Sequence, residues 1–292
     1  MTANSGQQAL LLDGREAARS LRENLGATLA AEGGPDVTLA TVMVGEDEAS
    51  ERYIRMRDRQ ADNLGLRTRL LRLPADIAQA DLEEAVRELV ADPEVHGIIV
   101  QLPLPGGLDA DAVTGLVPPE KDIDGLTEGN LGRLVRGVTG LIPCTPLGVM
   151  RLIGHYGIPT EGRRAVIVGR STVVGLPLTL LLSARGADAT VTLAHSRTPD
   201  LATVTREADI LVAAAGSPGL ITAEHIKPGA AVFDVGMTPT DAGIEGDVDF
   251  NSVQEVAGAV TPNPGGTGPM TVACVLENTV KAARLQGRLP AE

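Results

Sequence analysis

The chain has 292 residues, of which 43% are hydrophobic and 22% charged, and its formal net charge is -13 at pH 7. This composition is typical of a folded protein and excludes a disordered chain, while the length favours two domains over one. Because the net charge is negative and the arginines are scattered, we expect neither nucleic acid nor an anionic membrane as a partner.

The sequence predicts a cytoplasmic protein without a bound metal. Residues 1–12 lack a basic segment followed by a long apolar run, and no later segment approaches about 18 consecutive apolar residues, so we expect no signal peptide and no transmembrane helix. The two cysteines, Cys144 and Cys274, have no metal-ligand spacing, and the chain has four histidines. Such cysteine usage fits a reducing compartment and argues against a structural zinc site, and we expect both thiols to be buried and structural.

In the first half of the chain, short apolar segments alternate with helical ones. Strands are predicted in VTLATVMV, LRTRLLRLP and HGIIVQLPLP. A helix is predicted after GEDEAS, and another in DLEEAVRELVAD with Asp81 as its N-cap. This alternation predicts a parallel sheet with helices on its faces.

The middle of the chain is rich in Gly, Pro and Asp. From Pro103, the segment PLPGGLDADAVTGLVPPEKDIDGLTEGNLGRL predicts a long functional loop without regular elements. PCTPLGVMRLIGHYG then predicts a helix with Thr145 as its N-cap and Pro146 at its first position. The last segment, VACVLENTVKAARLQG, predicts an amphipathic helix that packs back on the first domain.

A second α/β series follows from Arg164 and indicates a cofactor domain. Its four predicted buried strands are in RRAVIVG, ADATVTLAH, ADILVAAAG and AAVFDVG. The first strand leads into GRSTVVGLP, where Gly169, Ser171 and Gly175 open a helix whose backbone N–H groups suit a pyrophosphate. The spacing departs from G-x-G-x-x-G because Ser171 replaces the second glycine and the last glycine falls one residue late.

The residues after the second strand of this series favour NADP over NAD. An NAD-preferring enzyme carries an acidic residue there, whereas this chain has His195, Ser196 and Arg197, with Arg170 close by in the glycine loop. Arginine and hydroxyl groups suit a 2′-phosphate. The alternative is that His195 and Arg197 are solvated loop residues without a ligand.

Eight segments in one order carry a resemblance over nearly the whole chain. They are VGEDEASERYIR, HGIIVQLPLP, PPEKDIDGLTEGNLGRL, PCTPLGVM, VIVGRSTVVGLP, AHSRT, DVGM and TPNPGGTGPMT. On these motifs the chain resembles the bifunctional methylenetetrahydrofolate dehydrogenase/methenyltetrahydrofolate cyclohydrolase family. The family's enzymes pass hydride from 5,10-methylenetetrahydrofolate to NADP and then hydrolyse the methenyl product to 10-formyltetrahydrofolate.

The resemblance implies an α/β fold of two domains with a cleft between them, usually in a homodimer. It predicts an N-terminal three-layer α/β folate domain from residues 1–144 plus 271–292, and a Rossmann-type NADP-binding domain with a parallel sheet from residues 145–270. The implied partners are tetrahydrofolate one-carbon derivatives.

Motif by motif, the resemblance also implies site residues. The implied catalytic residues are Tyr53, Arg57, Gln101 and Asp124. The implied folate-binding residues are Ser50, Tyr53, Val100, Leu102, Asp124, Gly268 and Pro269. The implied NADP-binding residues are Thr145, Gly169, Arg170, Ser171, Gly175, Ser196, Arg197, Met237 and Thr271.

Tyr53 and Arg57 are one helical turn apart, so both side chains share a face. An aromatic ring can stack on a flat heterocycle there, and a core tyrosine is the structural alternative. Asp124 can accept the two N–H donors of a pterin edge, and Gln101 can orient water or Arg57. Either of these two residues could instead cap a turn.

Arg57 departs from the family's Tyr-x-x-x-Lys motif. A desolvated lysine can lose and regain a proton, whereas a guanidinium keeps its charge and cannot serve as general acid or base. We therefore expect dehydrogenase activity and little cyclohydrolase activity. Lys121 matches the family's own PEKD motif and is no obvious substitute for the missing lysine.

Two further readings remain open. Arg57 could activate water electrostatically in a working bifunctional enzyme, or the chain could be a catalytically silent homologue that binds folate or NADP. Asn263 and Thr267 also depart from the family's PVPGGVGPMT pattern, which has Val at both positions. We expect both side chains to add hydrogen-bonding capacity beside the reacting centre.

Overall fold

The computed structural model describes residues 8–34, 36–240 and 243–290, with Ala49 lacking a described side chain. The chain divides into two compact units. The three-stranded unit contains Ser20–Cys144 and the residues from Val272 onward, and the six-stranded unit contains the residues up to Arg19 and Thr145–Thr271.

The described residues form strands and helices in alternation. In chain order the strands are β1 (Leu10–Leu11), β2 (Thr38–Val44), β3 (Arg67–Leu73), β4 (Gly97–Val100), β5 (Arg164–Val168), β6 (Thr190–Ala194), β7 (Ile210–Ala213), β8 (Ala231–Asp234), β9 (Thr238–Thr240), β10 (Gly243–Glu245) and β11 (Ala259–Val260). The α-helices are α1 (Gly14–Ala31), α2 (Glu48–Asn63), α3 (Gln79–Ala91), α4 (Ala110–Thr114), α5 (Glu128–Arg136), α6 (Cys144–His155), α7 (Gly175–Ser183), α8 (Leu201–Thr205), α9 (Phe250–Val253) and α10 (Thr267–Leu285). A short 3-10 helix spans Ala223–His225.

The three-stranded unit has a parallel sheet in the order β3-β2-β4. Every residue of the central strand β2 is buried, which fits its largely apolar sequence, whereas the edge strand β3 has exposed positions. The core joins β2 and β4 to α3 through Val42, Leu82 and Ile98. Leu276 and Val280 of α10 belong to another apolar cluster of this unit, so the predicted return of the last helix to the first domain is confirmed.

The six-stranded unit has a fully parallel sheet in the order β1-β11-β8-β7-β5-β6. The chain moves from β5 to its neighbour β6 and then returns to β7 on the other side of β5. This reversal makes the carboxyl end of β5 the topological switch point, where ligands bind in doubly wound sheets. The predicted Rossmann-type parallel sheet is therefore confirmed.

The segment that precedes α1 differs from the predicted domain division. Leu10 and Leu11 pair in parallel with Ala259 and Val260 at the edge of the six-stranded sheet. Backbone pairing, rather than the apolar pattern of two residues, therefore joins this segment to the cofactor unit, whose described N-terminal residues extend to Arg19 within α1. No helix in the described ranges has the length and apolar character needed to cross a membrane.

Two predicted helix N-caps are wrong. Helix α3 begins at Gln79 after Ala78, which provides no side-chain cap, and Asp81 lies in the first turn, where its carboxylate faces the positive end of the helix dipole. Helix α6 begins at Cys144, so Thr145 is already helical.

The Gly- and Pro-rich segments contain more regular structure than predicted. Helices α4 and α5 lie within the predicted loop, and they begin where the side chains of Asp109 and Thr127 accept hydrogen bonds from the backbone N–H of Ala112 and Asn130. Helix α10 begins at Thr267, so its first turn contains the end of the glycine- and proline-rich segment TPNPGGTGPMT.

Candidate active site

Helix α2 holds the first group of candidate residues in the three-stranded unit. Its N-cap is Asp47, whose carboxylate accepts a 2.7 Å hydrogen bond from the backbone N–H of Ser50, and hydrogen bonds with Ser50 lower the pKa of Asp47. Ser50 thus lies in the first turn, and Tyr53 and Arg57 follow on the same helix.

The guanidinium of Arg57 is fully buried, with 0% of the residue exposed. Its Nη2 donates to Thr41 Oγ1 on β2 at 2.5 Å and to Asp58 Oδ1 at 3.0 Å, and its Nε donates to the same Asp58 oxygen at 3.3 Å. A buried charge is tolerated when it is paired and hydrogen-bonded, and these two partners provide both. Arg57 Nη1 is buried without a hydrogen-bond partner among the described residues, so the N–H groups of this nitrogen are unsatisfied there.

Sequence reasoning missed Thr41 and Asp58. Thr41 could have been identified as a site residue because it places a hydroxyl at the centre of the otherwise apolar VTLATVMV. Asp58 could have been identified because its carboxylate is next to Arg57 in the chain.

Tyr53, Arg57 and Asp124 form an electrostatically coupled cluster. Burial, and then the charge of Asp122, raise the pKa of the Asp124 carboxyl to about 7, against the opposing effect of Arg57. Burial raises the pKa of the Tyr53 hydroxyl, the charge of Asp124 raises it further, and Arg57 lowers it. The structure therefore brings these three predicted site residues together.

Asp122, and not Asp124, provides the described turn contacts of the long loop. Its carboxylate accepts hydrogen bonds from Gly125 N at 3.0 Å, Thr127 N at 2.9 Å, Thr127 Oγ1 at 2.7 Å and Asn130 Nδ2 at 2.9 Å. Asp122 thereby fixes the backbone that presents Asp124.

Gln101 follows β4, and its backbone N–H donates to Val42 O at 2.8 Å. Its side-chain Nε2 donates to Leu102 O at 3.0 Å. The hydrogen bonds of Arg57 go to Thr41 and Asp58 instead, so the orientation of Arg57 by Gln101 stays a prediction. Val100 is buried and Leu102 is 45% exposed.

Lys121, Cys144 and Cys274 have structural roles in the three-stranded unit. Lys121 Nζ donates to Val90 O at 2.9 Å and Asp92 O at 2.8 Å, and burial lowers the pKa of this amine. The Cys144 thiol donates to Ile123 O at 3.1 Å, and burial raises its pKa well above the usual value. Cys274 is also buried. A thiol whose pKa is raised is a poor nucleophile, as expected from the sequence.

The glycine loop lies at the switch point of the six-stranded sheet. Gly169 has a φ of +123°, and a Cβ added there would be 2.0 Å from Ala214 O, while a Cβ at Gly175 would be 1.9 Å from Gly169 O. Only glycine fits both positions. Ser171 Oγ accepts a 3.1 Å hydrogen bond from Val174 N, which turns the chain into α7. Ser171 thus has a structural role that a glycine at this motif position lacks, because glycine has no hydroxyl group.

The predicted phosphate-binding residues follow neighbouring strands. Strands β5 and β6 are paired in parallel up to Val168 and Ala194, so the loops that carry Arg170 and Ser196 leave the same edge of the sheet. The side chains of Arg170, Ser196 and Arg197 are exposed. His195 Nδ1 accepts a 3.1 Å hydrogen bond from Arg197 N, which gives the histidine a role in the turn.

Asn263 and Thr267 are both hydrogen-bonded to Asp234 at the end of β8. Asn263 Nδ2 donates to Asp234 Oδ2 at 3.2 Å and to Gly236 O at 2.7 Å, and Thr267 Oγ1 donates to Asp234 O at 2.9 Å. The Asp234 carboxylate also accepts hydrogen bonds from the backbone N–H of Gly236 and Asp247 at 3.0 Å each. The two unusual side chains therefore stabilise this strand end, a function that sequence reasoning missed.

The remaining candidates lie near the start of α6 and α10 or after β8. Thr145 Oγ1 and Thr271 Oγ1 share a 3.1 Å hydrogen bond. Gly268 and Pro269 occupy the first turn of α10, and a Cβ added to Gly268 would point into open space. Met237 is 61% exposed.

A doubly wound parallel sheet with a glycine loop at its switch point, followed by exposed arginines, is typical of a dinucleotide-binding protein. A family model described as the tetrahydrofolate dehydrogenase/cyclohydrolase catalytic domain matches residues 12–124, and one described as the NAD(P)-binding domain of the same proteins matches residues 143–287. The chain belongs to the tetrahydrofolate dehydrogenase/cyclohydrolase family.

Individual relatives agree with the family models. The bifunctional protein FolD of Chloroflexus aurantiacus is 50% identical over 280 residues, which are 94% of this chain and 98% of that protein. The crystal structure of the bifunctional enzyme FolD from Campylobacter jejuni has a TM-score of 0.90 at 39% identity and covers 95% of this chain and 99% of its own.

A structure of the Trypanosoma brucei methylenetetrahydrofolate dehydrogenase-cyclohydrolase, complexed with NADP cofactor and inhibitor, has a TM-score of 0.90 at 38% identity and covers 97% of this chain and 100% of its own. The chain is therefore an enzyme of tetrahydrofolate one-carbon chemistry with a catalytic domain and an NAD(P)-binding domain.

Proposed function

We propose that the chain oxidises 5,10-methylenetetrahydrofolate with NADP and hydrolyses the methenyl product only slowly. The observation that carries this proposal is the guanidinium of Arg57, fully buried between Thr41 and Asp58 beside Tyr53 and Asp124. It stands where the family's motif has lysine.

Within this proposal, the three-stranded unit binds the folate. Tyr53 stacks on a flat ring of the substrate, and the Asp124 carboxylate accepts hydrogen bonds from the two-donor edge of the pterin. Val100 and Leu102 provide apolar contacts at the end of β4. Ser50 and Gln101 complete the proposed folate contacts of this unit, and the family resemblance also supports Gly268 and Pro269, which belong to the six-stranded unit, as folate contacts.

The six-stranded unit binds NADP, which when bound supplies the hydride acceptor. The backbone N–H groups of the Gly169–Gly175 loop bind the pyrophosphate at the start of α7. Arg170, Ser196 and Arg197 bind the 2′-phosphate, because exposed guanidinium and hydroxyl groups suit a dianion. Thr145, Met237 and Thr271 complete the proposed cofactor contacts.

The two reactions make different demands on Arg57. Hydride transfer requires two carbon atoms in contact and a nitrogen lone pair, without a proton relay in the protein. Ring hydrolysis requires a proton to leave water and another to reach nitrogen. Arg57 can hold and polarise a ligand atom through Nη1, but its guanidinium cannot exchange the proton at ordinary pH.

A second candidate function is that of a working bifunctional enzyme. The unpaired buried Nη1 favours it, since this donor could hold and polarise the attacking water. That function requires another group to take the proton from the water.

Two assays on the wild-type protein separate these functions. NADPH formation and the decay of methenyltetrahydrofolate absorbance are measured independently with excess methylenetetrahydrofolate. We expect NADPH to form while methenyltetrahydrofolate accumulates. Hydrolysis that keeps pace with NADPH formation contradicts the proposal and supports the bifunctional enzyme. A chain that catalyses neither reaction is a silent homologue.

We further propose a cytoplasmic homodimer. The resemblance to the family supports the dimer, and the two buried thiols support a reducing compartment. Analytical ultracentrifugation tests the dimer, and a monomeric mass contradicts it.

A further inference from the structure

The position of the Asp124 side chain depends on the backbone that carries it. The carboxyl group of Asp124 forms no hydrogen bond and no ion pair with the residues that the structure describes, although it lies beside Tyr53 and Arg57. Its direction is therefore set by the two peptide groups that meet at its Cα atom. We propose that Asn278 of α10 is a positioning residue for folate binding, because it fixes one of these peptide groups, an inference that rests on the proposed function.

Asn278 holds the peptide group that precedes Asp124. Asn278 is buried, with 1% of the residue exposed, and its Nδ2 donates to Ile123 O and to Ile142 O at 2.8 Å each and lies 3.4 Å from Cys144 Sγ. The Cys144 thiol donates to the same Ile123 O at 3.1 Å, so this carbonyl oxygen accepts from two donors. Because a peptide group is planar, holding its oxygen fixes the plane as far as the Cα atom of Asp124.

The peptide group that follows Asp124 is held separately. Gly125 N donates to Asp122 O and to Asp122 Oδ1 at 3.0 Å each. Gly125 has a φ of +71°, and a Cβ added there would be 2.5 Å from the carbonyl carbon of Ile142, so the loop lies directly against residue 142. Asn278 joins these same two segments, and both peptide planes that direct the Asp124 side chain are thereby fixed.

The amide of Asn278 suits this role because its two N–H groups match two carbonyl acceptors and bring no net charge near Asp124. Without these donors, two buried carbonyl groups lose a hydrogen bond, and the segments that carry Ile123 and Ile142 lose their link. A shift of about 1 Å in a group that contacts a ligand can remove most of the value of the contact. The loss of Asn278 should therefore weaken folate binding and leave NADP binding, proposed for the six-stranded unit, unchanged.

Calorimetric titration with tetrahydrofolate and with NADP tests this inference without requiring turnover. In Asn278→Ala, we expect the Kd of tetrahydrofolate to rise at least about tenfold and the Kd of NADP to change less than about twofold.

Thr279→Ala is the matched control. Thr279 is the next residue on α10 and is 0% exposed, and its Oγ1 donates to Val275 O of the same helix at 2.7 Å. This variant should also lower the midpoint of urea denaturation, since it removes a buried side chain and its hydrogen bond, but both Kd values should stay within about twofold of wild type.

A double-mutant cycle with Asp124→Ala separates positioning from a purely structural role. If Asn278 acts through Asp124, adding Asn278→Ala to Asp124→Ala should weaken tetrahydrofolate binding less than about twofold further. Asn278→Asp keeps the shape of the side chain but has at most one proton for two carbonyls, so it should give a smaller loss than Asn278→Ala. It takes the place of Asn278→Ala in the cycle if that variant does not fold.

Three results overturn the assignment of Asn278: unchanged tetrahydrofolate binding in the folded variant, an equal loss in Thr279→Ala, or the full further loss in the double variant. If Asp124→Ala alone binds tetrahydrofolate as tightly as wild type, the folate contact of Asp124 in the proposed function is contradicted as well.

Discussion

The burial of the Asp124 carboxyl group affects both the stability of the folded protein and the proposed binding of folate. Its pKa is raised to about 7, first by burial and then by Asp122. A carboxyl group whose pKa is raised in the folded state contributes stability that is complete below its ordinary pKa and is lost as pH rises through about 7. Burial therefore disfavours the ionised form of Asp124 in the free protein, although the proposed pterin contact requires this form.

We predict that folate affinity rises with pH up to about 7 and then levels off, because binding below that pH must release the Asp124 proton. Calorimetry in buffers of different ionisation enthalpy measures this proton release. Asp124→Asn keeps the shape of the side chain without a titration, and should bind folate more weakly with little pH dependence. The same pH profile in wild type and Asp124→Asn would show that another group titrates.

The site role of a residue was predictable where the residue belongs to a sequence motif, and it was not predictable where the role depends on tertiary contacts alone. Tyr53, Arg57 and Asp124 were expected together and lie together. Thr41 is distant from Arg57 in the chain, and no local pattern links a strand hydroxyl to a helix guanidinium. Its 2.5 Å hydrogen bond to Arg57 follows from the packing of α2 on β2.

The end of β8 is stabilised by Asn263 and Thr267, two side chains that depart from the family's sequence pattern. The Asp234 carbonyl accepts from Thr267 at 2.9 Å, and its carboxylate accepts from Asn263 at 3.2 Å. We predict that Thr267→Val lowers the free energy of unfolding by about 1 to 3 kcal/mol, because it leaves a buried acceptor without this donor.

Urea denaturation measures this change, and Asn263→Val should destabilise in the same direction. Thr192→Val, at an exposed position of β6, is the control and should stay within about 0.5 kcal/mol of wild type. If Thr267→Val is no more destabilised than Thr192→Val, the hydrogen bond to Asp234 contributes nothing measurable to the fold.

Longer elements with a clear hydrophobic pattern were predictable, whereas the shortest ones were not. Buried apolar runs correctly predicted β2 and β5. Helices α4 and α5 have five and nine residues, lengths at which periodicity is weak and tertiary contacts provide most of the stability. Strands β1 and β11 have two residues each, too few for any alternating pattern.

At the scale of the whole molecule, sequence motifs identified the family but could not decide which of its reactions this chain performs. Eight motifs and two family models agree on the dehydrogenase/cyclohydrolase fold. The predicted difference in chemistry depends on one guanidinium and its partners Thr41 and Asp58. Overall similarity is insensitive to a change of this size.

The central claim is that the guanidinium of Arg57 limits ring hydrolysis. The most direct measurement is the rate of methenyltetrahydrofolate hydrolysis by Arg57→Lys, alongside the rate of NADPH formation and with Arg87→Lys as the control. Because general acid–base help is typically worth about 10²- to 10⁴-fold, we predict that Arg57→Lys raises hydrolysis at least about tenfold with a smaller change in hydride transfer. Asp58→Asn combined with Arg57→Lys should raise hydrolysis further, since the carboxylate next to the lysine would otherwise favour its protonated form. Unchanged hydrolysis in both variants, with hydride transfer intact, would contradict the account.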